Sequence, residues 1–370
     1  MFEFLQPKIS GFGIDLSDLS IKIVDLKKEK EGFSVASFGR TEIPEGLIEG
    51  GDIKKEDELI EIIKKAVRET SKGKIKNKYC VASLPETESF VRMVQLPPMK
   101  EEEVAEAIKW ELEAQIPLSL EEIYYDWQII KPLSGLVVNQ SITEARQPKN
   151  LDILIGVLPK KTIDPYLAVF KKAGLHPFVF EIESIATTRA LIKNGFSPAP
   201  VLIVDFGAKR TGVLIFYGQA IYFTSSLSIS NKSLISRLAE DLGISPAKAK
   251  QIKMKVGLDL KRPKSPVFKS LKPPLLEMTC KIKNYIDYFQ EHILKNQANI
   301  ADINELIICG GGANMDGLAD FLSAELNLKA SVGNPLVNIL NKDADNIVGM
   351  DTADFLSYTT ALGLALRGRQ

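Results

Sequence analysis

A chain of 370 residues is long enough for two domains and a substantial core, and 45% hydrophobic with 25% charged residues is the make-up of an ordinary soluble globular protein. Lys+Arg and Asp+Glu both total 47, so no global field selects nucleic acid or an acidic membrane as a partner. Cys80, Cys280 and Cys309 are scattered, and His176 and His292 stand outside any HExxH-type pairing. This excludes a zinc site or redox pair, suits a reducing cytoplasm and leaves both histidines as structural residues. The opening MFEFLQPKIS has no basic n-region followed by an apolar core, so no signal peptide is expected. Nor is there a run of about 20 apolar residues to span a bilayer.

In chain order, GFGIDL, SIKIVDL and FSVASFGRTE predict a three-stranded meander from Gly11 to Glu42, with a loop from Ile43 to Gly51. Lys54 to Ser71 carries Leu59, Ile62, Ile63, Ala66 and Val67 at helical spacing, and Tyr79 to Leu84 returns as a strand. The character then changes. A strand from Ser89 to Leu96 precedes Pro97-Pro98 and a charged amphipathic helix, Lys100 to Ala114. The strand YYDWQII, Tyr124 to Ile130, comes next, then a polar stretch, Lys131 to Asn150, read as a mobile loop or hairpin tip, and a strand from Leu151 to Leu158. Residues 86–158 read as an inserted subdomain. Helices from Thr162 to Ala173 and Ser184 to Asn194 flank a strand, Pro177 to Glu183, and Ser197 to Pro200 marks a boundary between halves.

The second half opens on VLIVDFGAKRTGVLIF, Val201 to Phe216. Two apolar runs meet at a bend with Asp205, Gly207 and Gly212, a β-hairpin that repeats the first one, in which Asp15 takes the place of Asp205. Such bends can gather backbone N–H groups into a nest for phosphate oxygens. An aspartate at the strand end could hold Mg²⁺ directly or through water. Either hairpin alone is read equally well as an ordinary buried turn. A strand from Gln219 to Ser226 follows, then helices Lys232 to Leu242 and Pro246 to Val256. Gly257 to Pro274, rich in lysine and proline, reads as a solvated loop because it lacks the interleaved aromatics of a nucleic-acid groove. A long helix is predicted from Pro274 to about Gln297. ELIICGGGANMDG, Glu305 to Gly317, places three glycines between a strand and the helix Leu318 to Leu326, where the backbone can approach a flat ligand. The spacing meets neither GxGxxG nor the P-loop pattern. A helix from Ala353 to Leu366, with small residues Ala361 and Gly363, is expected to pack on the first half.

Two hairpins with Asp at the strand end, a helix lysine and a late strand-GGG-helix follow the order of the actin, Hsp70 and sugar-kinase superfamily. Arg92, Leu96-Pro97 and AIKWELEAQIPLSLEEIYYDW, Ala107 to Trp127, resemble more narrowly the PilM family of type IV pilus assembly proteins, relatives of FtsA. The resemblance covers nearly the whole chain. It implies an α/β, actin-like ATPase fold with ribonuclease H-like duplicated domains and an FtsA/PilM-type inserted subdomain. The first half would take residues 1–85 and 159–196, with helix 353–367 packing back, and the second half residues 197–352.

It also implies ATP and Mg²⁺ as cofactors. Asp15 would stand near the metal with Ser17, Ser20 and Lys22 near the phosphates; Asp205, with Gly207, Ala208 and Thr211, forms the second phosphate loop and shares the metal; Lys253, Gly310, Gly311 and Gly312 take the adenosine side. From its position alone, Lys253 reads as a solvated helix lysine. Ser17 in place of glycine, Ser230-Asn231 in place of a glycine pair and Lys250 in place of glutamate depart from the family pattern and put turnover in doubt. No catalytic base emerges, since Glu86 reads as a charged loop residue. The implied function is a cytoplasmic assembly protein at the inner face of the membrane that holds the N-terminal cytoplasmic peptide of a PilN-like membrane protein. The pilus motor ATPase and further copies of the chain are candidate contacts, and the membrane is reached only through the partner. Alternatives are an active ATPase or phosphotransferase, and an FtsA-like filament, against which the tail Leu366 to Gln370 argues.

Overall fold

A computed structural model describes residues 9–130, 150–259, 261–293, 301–339 and 352–369. The expected loop over Lys131 to Asn150 lies almost wholly outside these residues.

Strands β1 (Phe12–Leu16), β2 (Ser20–Lys28) and β3 (Phe33–Glu42) form the first meander. The segment expected as a loop after it contains a small ribbon, β4 (Ile48–Glu49) with β5 (Asp52–Ile53). Helix α1 (Glu56–Arg68) follows, with Leu59, Ile60, Ile63, Ala66 and Val67 buried along one face; Glu56, Asp57 and Glu58 in its first turn and Lys65 and Arg68 in its last suit the helix dipole. Strand β6 (Tyr79–Leu84) leads into β7 (Phe90–Leu96), α2 (Glu101–Gln115), β8 (Ile123–Ile130) and β9 (Leu151–Pro159). The last three strands pair antiparallel in the order β7-β9-β8, and α2 covers one face through Val104, Ile108 and Leu112. Then come α3 (Lys160–Lys172), β10 (His176–Ile182) and α4 (Glu183–Leu191).

The chain next repeats the plan with β11 (Ser197–Phe206), β12 (Thr211–Gly218), β13 (Ala220–Leu227), α5 (Asn231–Leu242), α6 (Pro246–Val256), α7 (Pro266–Tyr288), β14 (Glu305–Cys309), α8 (Leu318–Leu326) and β15 (Lys329–Val332), and ends in a short turn, α9 (Thr352–Phe355), and α10 (Thr359–Arg367). One sheet runs β3-β2-β1-β6-β10, the other β13-β12-β11-β14-β15. In each, three antiparallel strands precede two parallel ones, so both sheets have the same topology. That identity places Asp15 and Asp205 at matching strand ends, opposite Lys22 and Gly212.

Helix α7 begins eight residues earlier than the sequence suggests. Ser265 caps its first turn, accepting from the Phe268 amide, and Pro266 sits where no N–H is needed. Pro273 and Pro274 lie inside the helix, where each lacks an N–H. The buried face of Phe268, Leu271, Leu275, Met278 and Ile282 on both sides of them holds it together. Helix α10 packs on α4, β1 and β2. A Cβ on Gly363 would overlap the Ala186 carbonyl, and one on Gly13 would strike the α10 backbone at Ala361 and Ala365. The small residues are therefore a requirement of close approach. At the back of the β7-β9-β8 sheet, β7 and β9 meet β13, and Ile130 and Leu154 join the second core.

Candidate functional site

The two Asp-bearing hairpins open on one cleft of about 320 Å³. Of the residues singled out in the sequence, Asp15, Ser17, Ser20, Lys22, Asp205, Gly207, Ala208, Lys253, Gly310 and Gly311 line it. Thr211 and Gly312 do not. Thr211 is fully buried and its hydroxyl donates to the Ile229 carbonyl at 2.7 Å, while the Gly312 amide donates to the Phe206 carbonyl at 2.8 Å.

On the first hairpin, Asp15 accepts from Lys22 Nζ at 3.0 Å and from the Ser83 hydroxyl at 3.1 Å. The pair expected to divide between metal and phosphate is thus closed on itself. Ser17 turns its hydroxyl back to the Ser20 carbonyl at 3.0 Å, and its amide bonds the same oxygen. The hairpin tip carries a residue that motif reasoning passed over. Asp18 accepts from the Gly50 and Gly51 amides at 3.1 and 3.0 Å and ion-pairs with Lys209 at 3.4 Å and Arg210 at 3.8 Å, both on the second hairpin. The two bends are therefore tied across the cleft mouth.

Two further acids face Asp15 and Asp205. Glu86 lines the cleft just after β6, accepting from the Ser184 amide at 3.2 Å, and burial raises its carboxyl above the usual range against hydrogen bonds from Ser184 and Thr224. It is no solvated loop residue. Glu183, at the start of α4, escaped the sequence reading because it lies in no motif. Burial, then Asp15, Glu86 and Asp205, push it well above a normal carboxylate, with Arg210 opposing. Burial also raises Asp205 to about 6; Lys22 opposes, and Asp15 and Glu86 add to the rise. Three carboxyls, those of Glu86, Glu183 and Asp205, are thus raised by burial in one cleft, which makes a site that favours a cation.

The opposite wall has the reverse problem. Lys253 is fully buried, and its Nζ finds no hydrogen-bond partner among the described residues, as does Arg210 Nη1. Burial and then Lys250 lower the Lys253 ammonium to about 8. The solvated-lysine reading is thus overturned, because α6 turns this residue inward beside Ala249. An enclosed ammonium without a partner costs several kcal/mol unless an anion meets it. Among the three glycines, Gly310 has φ +81° and its Cβ would overlap Asp205 Oδ1, while a Cβ on Gly312 would press on Phe206. Only Gly311 presents open backbone, with Ser357 Cβ at 3.6 Å as its sole neighbour. Two of the glycines are set by the hairpin beneath them, and the third leaves open backbone on the cleft wall.

Among the described residues no group of three or more His, Cys, Asp or Glu is placed to hold a metal directly. Mg²⁺ typically takes one or two carboxylates plus phosphate oxygens and water, so Asp15 and Asp205 fit it only together with a phosphate ligand. The unpartnered Lys253 ammonium and the raised carboxyls of Glu86, Glu183 and Asp205 both fit a polyphosphate–metal pair.

A second cavity, about 590 Å³, lies between β8 and β10. Each is an edge strand of its sheet. Tyr125, Trp127, Phe178 and Phe180 give the groove an apolar lining, and Glu181 and Arg189, joined by a bidentate ion pair, give it a polar one. Helix α4 separates the cavities: Glu183, Ser184 and Thr187 line the cleft, Ile185 and Arg189 the groove.

Two sheets of one topology, joined across a cleft lined by paired Asp hairpins, define an actin-like ATPase fold. Residues 13–369 match the family described as type IV pilus assembly protein PilM, and the chain belongs to that family. Among solved structures it is similar to the PilM–PilN type IV pilus biogenesis complex (21% identity, 98% of this chain and 100% of that one, TM-score 0.79). It is also similar to the ethanolamine utilization protein EutJ of Carboxydothermus hydrogenoformans (16%, 98% and 90%, TM-score 0.54) and to MreB 5 of Spiroplasma citri bound to AMPPNP (12%, 97% and 95%, TM-score 0.51). At these identities the likeness carries the fold. No helix among the described residues is long and apolar enough to cross a membrane.

Proposed function

We propose that this chain binds ATP with Mg²⁺ between its halves, residues 1–85 with 159–196 and residues 197–352, and in that state docks the N-terminal cytoplasmic peptide of a PilN-like membrane protein. It would thereby act at the inner face of the cytoplasmic membrane, held there by the partner. Lys22, Lys209, Arg210 and the two hairpins would take the phosphates, Asp15 and Asp205 the metal, Lys253 and Gly311 the adenosine side. The bound ion supplies charge neutralisation for the cleft carboxyls. The groove between β8 and β10, with two sheet edges and aromatic walls, suits an extended peptide that adds backbone hydrogen bonds to an open edge.

The observation that carries this reading is helix α4, which lines the cleft with one face and the groove with the next. Nucleotide that shifts α4 reshapes the peptide site, and linkage requires the converse. Fluorescence anisotropy of a labelled PilN N-terminal peptide, with and without ATP–Mg²⁺, tests it. Tighter peptide binding with nucleotide is expected, about five-fold or more. Equal affinity in both conditions removes the linkage, and no binding in either removes the docking.

The position of Glu183 favours a second activity, slow ATP hydrolysis. Glu183 stands in the cleft wall beside Asp15, Glu86 and Asp205, and once the charge of a bound metal ion restores its ionised form its carboxylate would take the proton of an attacking water. Loss of phosphate release in Glu183→Gln, with nucleotide binding retained, is the expected result; an unchanged rate excludes it.

A further inference from the structure

The mouth of the cleft is held by charges that belong to opposite halves. On the first half, Gly50 and Gly51 take φ of +62° and +91°, which turns two successive amides toward one point, and the Asp18 carboxylate occupies it at 3.1 and 3.0 Å. Paired amides of this kind form an anion nest. The β4–β5 ribbon that carries them is fixed to the first half: Leu47 and Ile48 are buried in its core, and the Tyr166 hydroxyl donates to the Gly51 carbonyl at 2.8 Å. From the second half, Lys209 and Arg210 reach Oδ2 of the same carboxylate at 3.4 and 3.8 Å. Asp18 is thus the anion on which donors from both halves converge.

For the cations of the second half the fit is loose. Both distances are long for a charge-assisted contact, for which about 2.7–2.9 Å is usual. Arg210 meets Asp18 through Nη2, while its Nη1 is buried without a hydrogen-bond partner among the described residues. Lys209 shares its ammonium with the Ile48 carbonyl, also at 3.4 Å. One carboxylate therefore leaves donor capacity unused where two cations meet. A terminal phosphate, with three acceptor oxygens and more than a single negative charge, would use it. A second tie crosses the mouth outside the cleft: Glu45, ahead of the ribbon, pairs at 2.7 Å with Lys232 in the first turn of α5, and neither residue lines the cleft.

We propose that Asp18 is a built-in competitor of the nucleotide's terminal phosphate: its carboxylate stands in for that phosphate and ties the two hairpins together, and ATP binds by drawing Lys209 and Arg210 away from it. This rests on the nucleotide reading above and adds a regulatory step to it. Asp18 keeps its seat on the Gly50 and Gly51 amides while the two cations change partner, so the exchange requires no rearrangement of the first half. The untied form is the one that accepts ATP, and apparent affinity is lowered by the fraction of molecules that are tied. The Glu45–Lys232 pair has no phosphate to exchange with, because it lies outside the cleft, and it holds the mouth before and after binding alike.

Stopped-flow binding of N-methylanthraniloyl-ATP with Mg²⁺ to the full chain tests this. Asp18→Asn removes the charge and keeps an acceptor for the glycine amides. At about 50 mM salt it should bind about three- to ten-fold faster than the wild type, with Kd tighter by a similar factor, the size expected of two partly exposed ion pairs. At about 0.5 M salt the gap should narrow, since screening weakens the tie in the wild type. Asp18→Ser, smaller and equally neutral, carries the same expectation where the asparagine amide unsettles the nest. Glu45→Gln should speed association and dissociation together and leave Kd within about two-fold, because its tie is present in both states. A folded neutral variant at Asp18 that binds no faster, or more weakly, overturns the proposal and makes Asp18 a positioning residue for Lys209 and Arg210. Binding by neither wild type nor variant removes the nucleotide reading and the competition with it, an outcome distinct from equal binding by both, which removes the competition alone.

Discussion

Replacing Lys253 with methionine removes an ammonium that nothing in the described protein satisfies, while keeping most of the side chain's volume. Without ligand the variant should be more stable, by on the order of 1–3 kcal/mol, because the shift from 10.5 to about 8 measures a penalty on the charged form. Its affinity for ATP should fall at least ten-fold. Thermal denaturation with and without nucleotide reads both effects, and a variant that loses stability and keeps its affinity would make Lys253 structural. Asp205 and Lys253 together set a pH dependence. A carboxyl raised from 3.8 to about 6 makes its contribution to the stability of the ligand-free protein fully below pH 4 and loses it as pH rises through 6, because the folded form holds the proton longer. On the proposed assignment of Asp205 to the metal, metal-dependent nucleotide binding needs this group ionised and should gain across the same range. Above about pH 8 Lys253 loses its proton and the anion site weakens. Affinity for ATP–Mg²⁺ should therefore peak near pH 7 and fall by up to about ten-fold per unit on each side. Asp205→Asn should abolish the acid limb along with most of the metal dependence, as calorimetric titration would report.

At the scale of elements, the hairpins, the meander order and the α2 insert were legible because alternating apolar runs end at Asp and Gly, and because Val104, Ile108 and Leu112 recur at helical spacing. Helix α7 was not, since Pro273-Pro274 reads locally as a stop and only the core contacts of its buried face override that signal. The site shows the same division. Asp15, Asp205 and Gly310 to Gly312 stand out as motif residues. Glu86, Glu183 and the Asp18 bridge do not, because each reaches the cleft through pairings between segments far apart in the chain. The inward turn of Lys253 depends on where α6 lies against the second core, which its lysine-rich sequence does not reveal. Helix α10 offers a direct test of packing. Gly363→Val should cost about 3 kcal/mol or more, because the α4 backbone at Ala186 cannot yield without moving the helix that walls both cavities. A loss below about 0.5 kcal/mol in urea titration would mean the two helices can separate freely.

For the whole molecule, α4 and α10 form the shared partition of cleft, groove and first sheet. Arg189→Ala breaks the ion pair to Glu181 and the bond to the Gly363 carbonyl without touching the cleft. It should weaken the PilN peptide and reduce the effect of ATP on it, while leaving ATP affinity in the absence of peptide within about two-fold. Unchanged linkage would place the communication elsewhere. The position of α10 also bears on how the protein is made. Gly11 donates to Gly368, Arg369 pairs with Asp25, and the α10 backbone lies against Gly13, so the first sheet is covered by a helix encoded some 350 residues after its opening strand. A nascent chain on the ribosome holds β1, β2 and β6 ready long before that piece emerges. The second half can therefore finish folding first, and the half that begins the chain is completed last. Its exposed apolar edge in the interval makes chaperone dependence a natural property of this architecture.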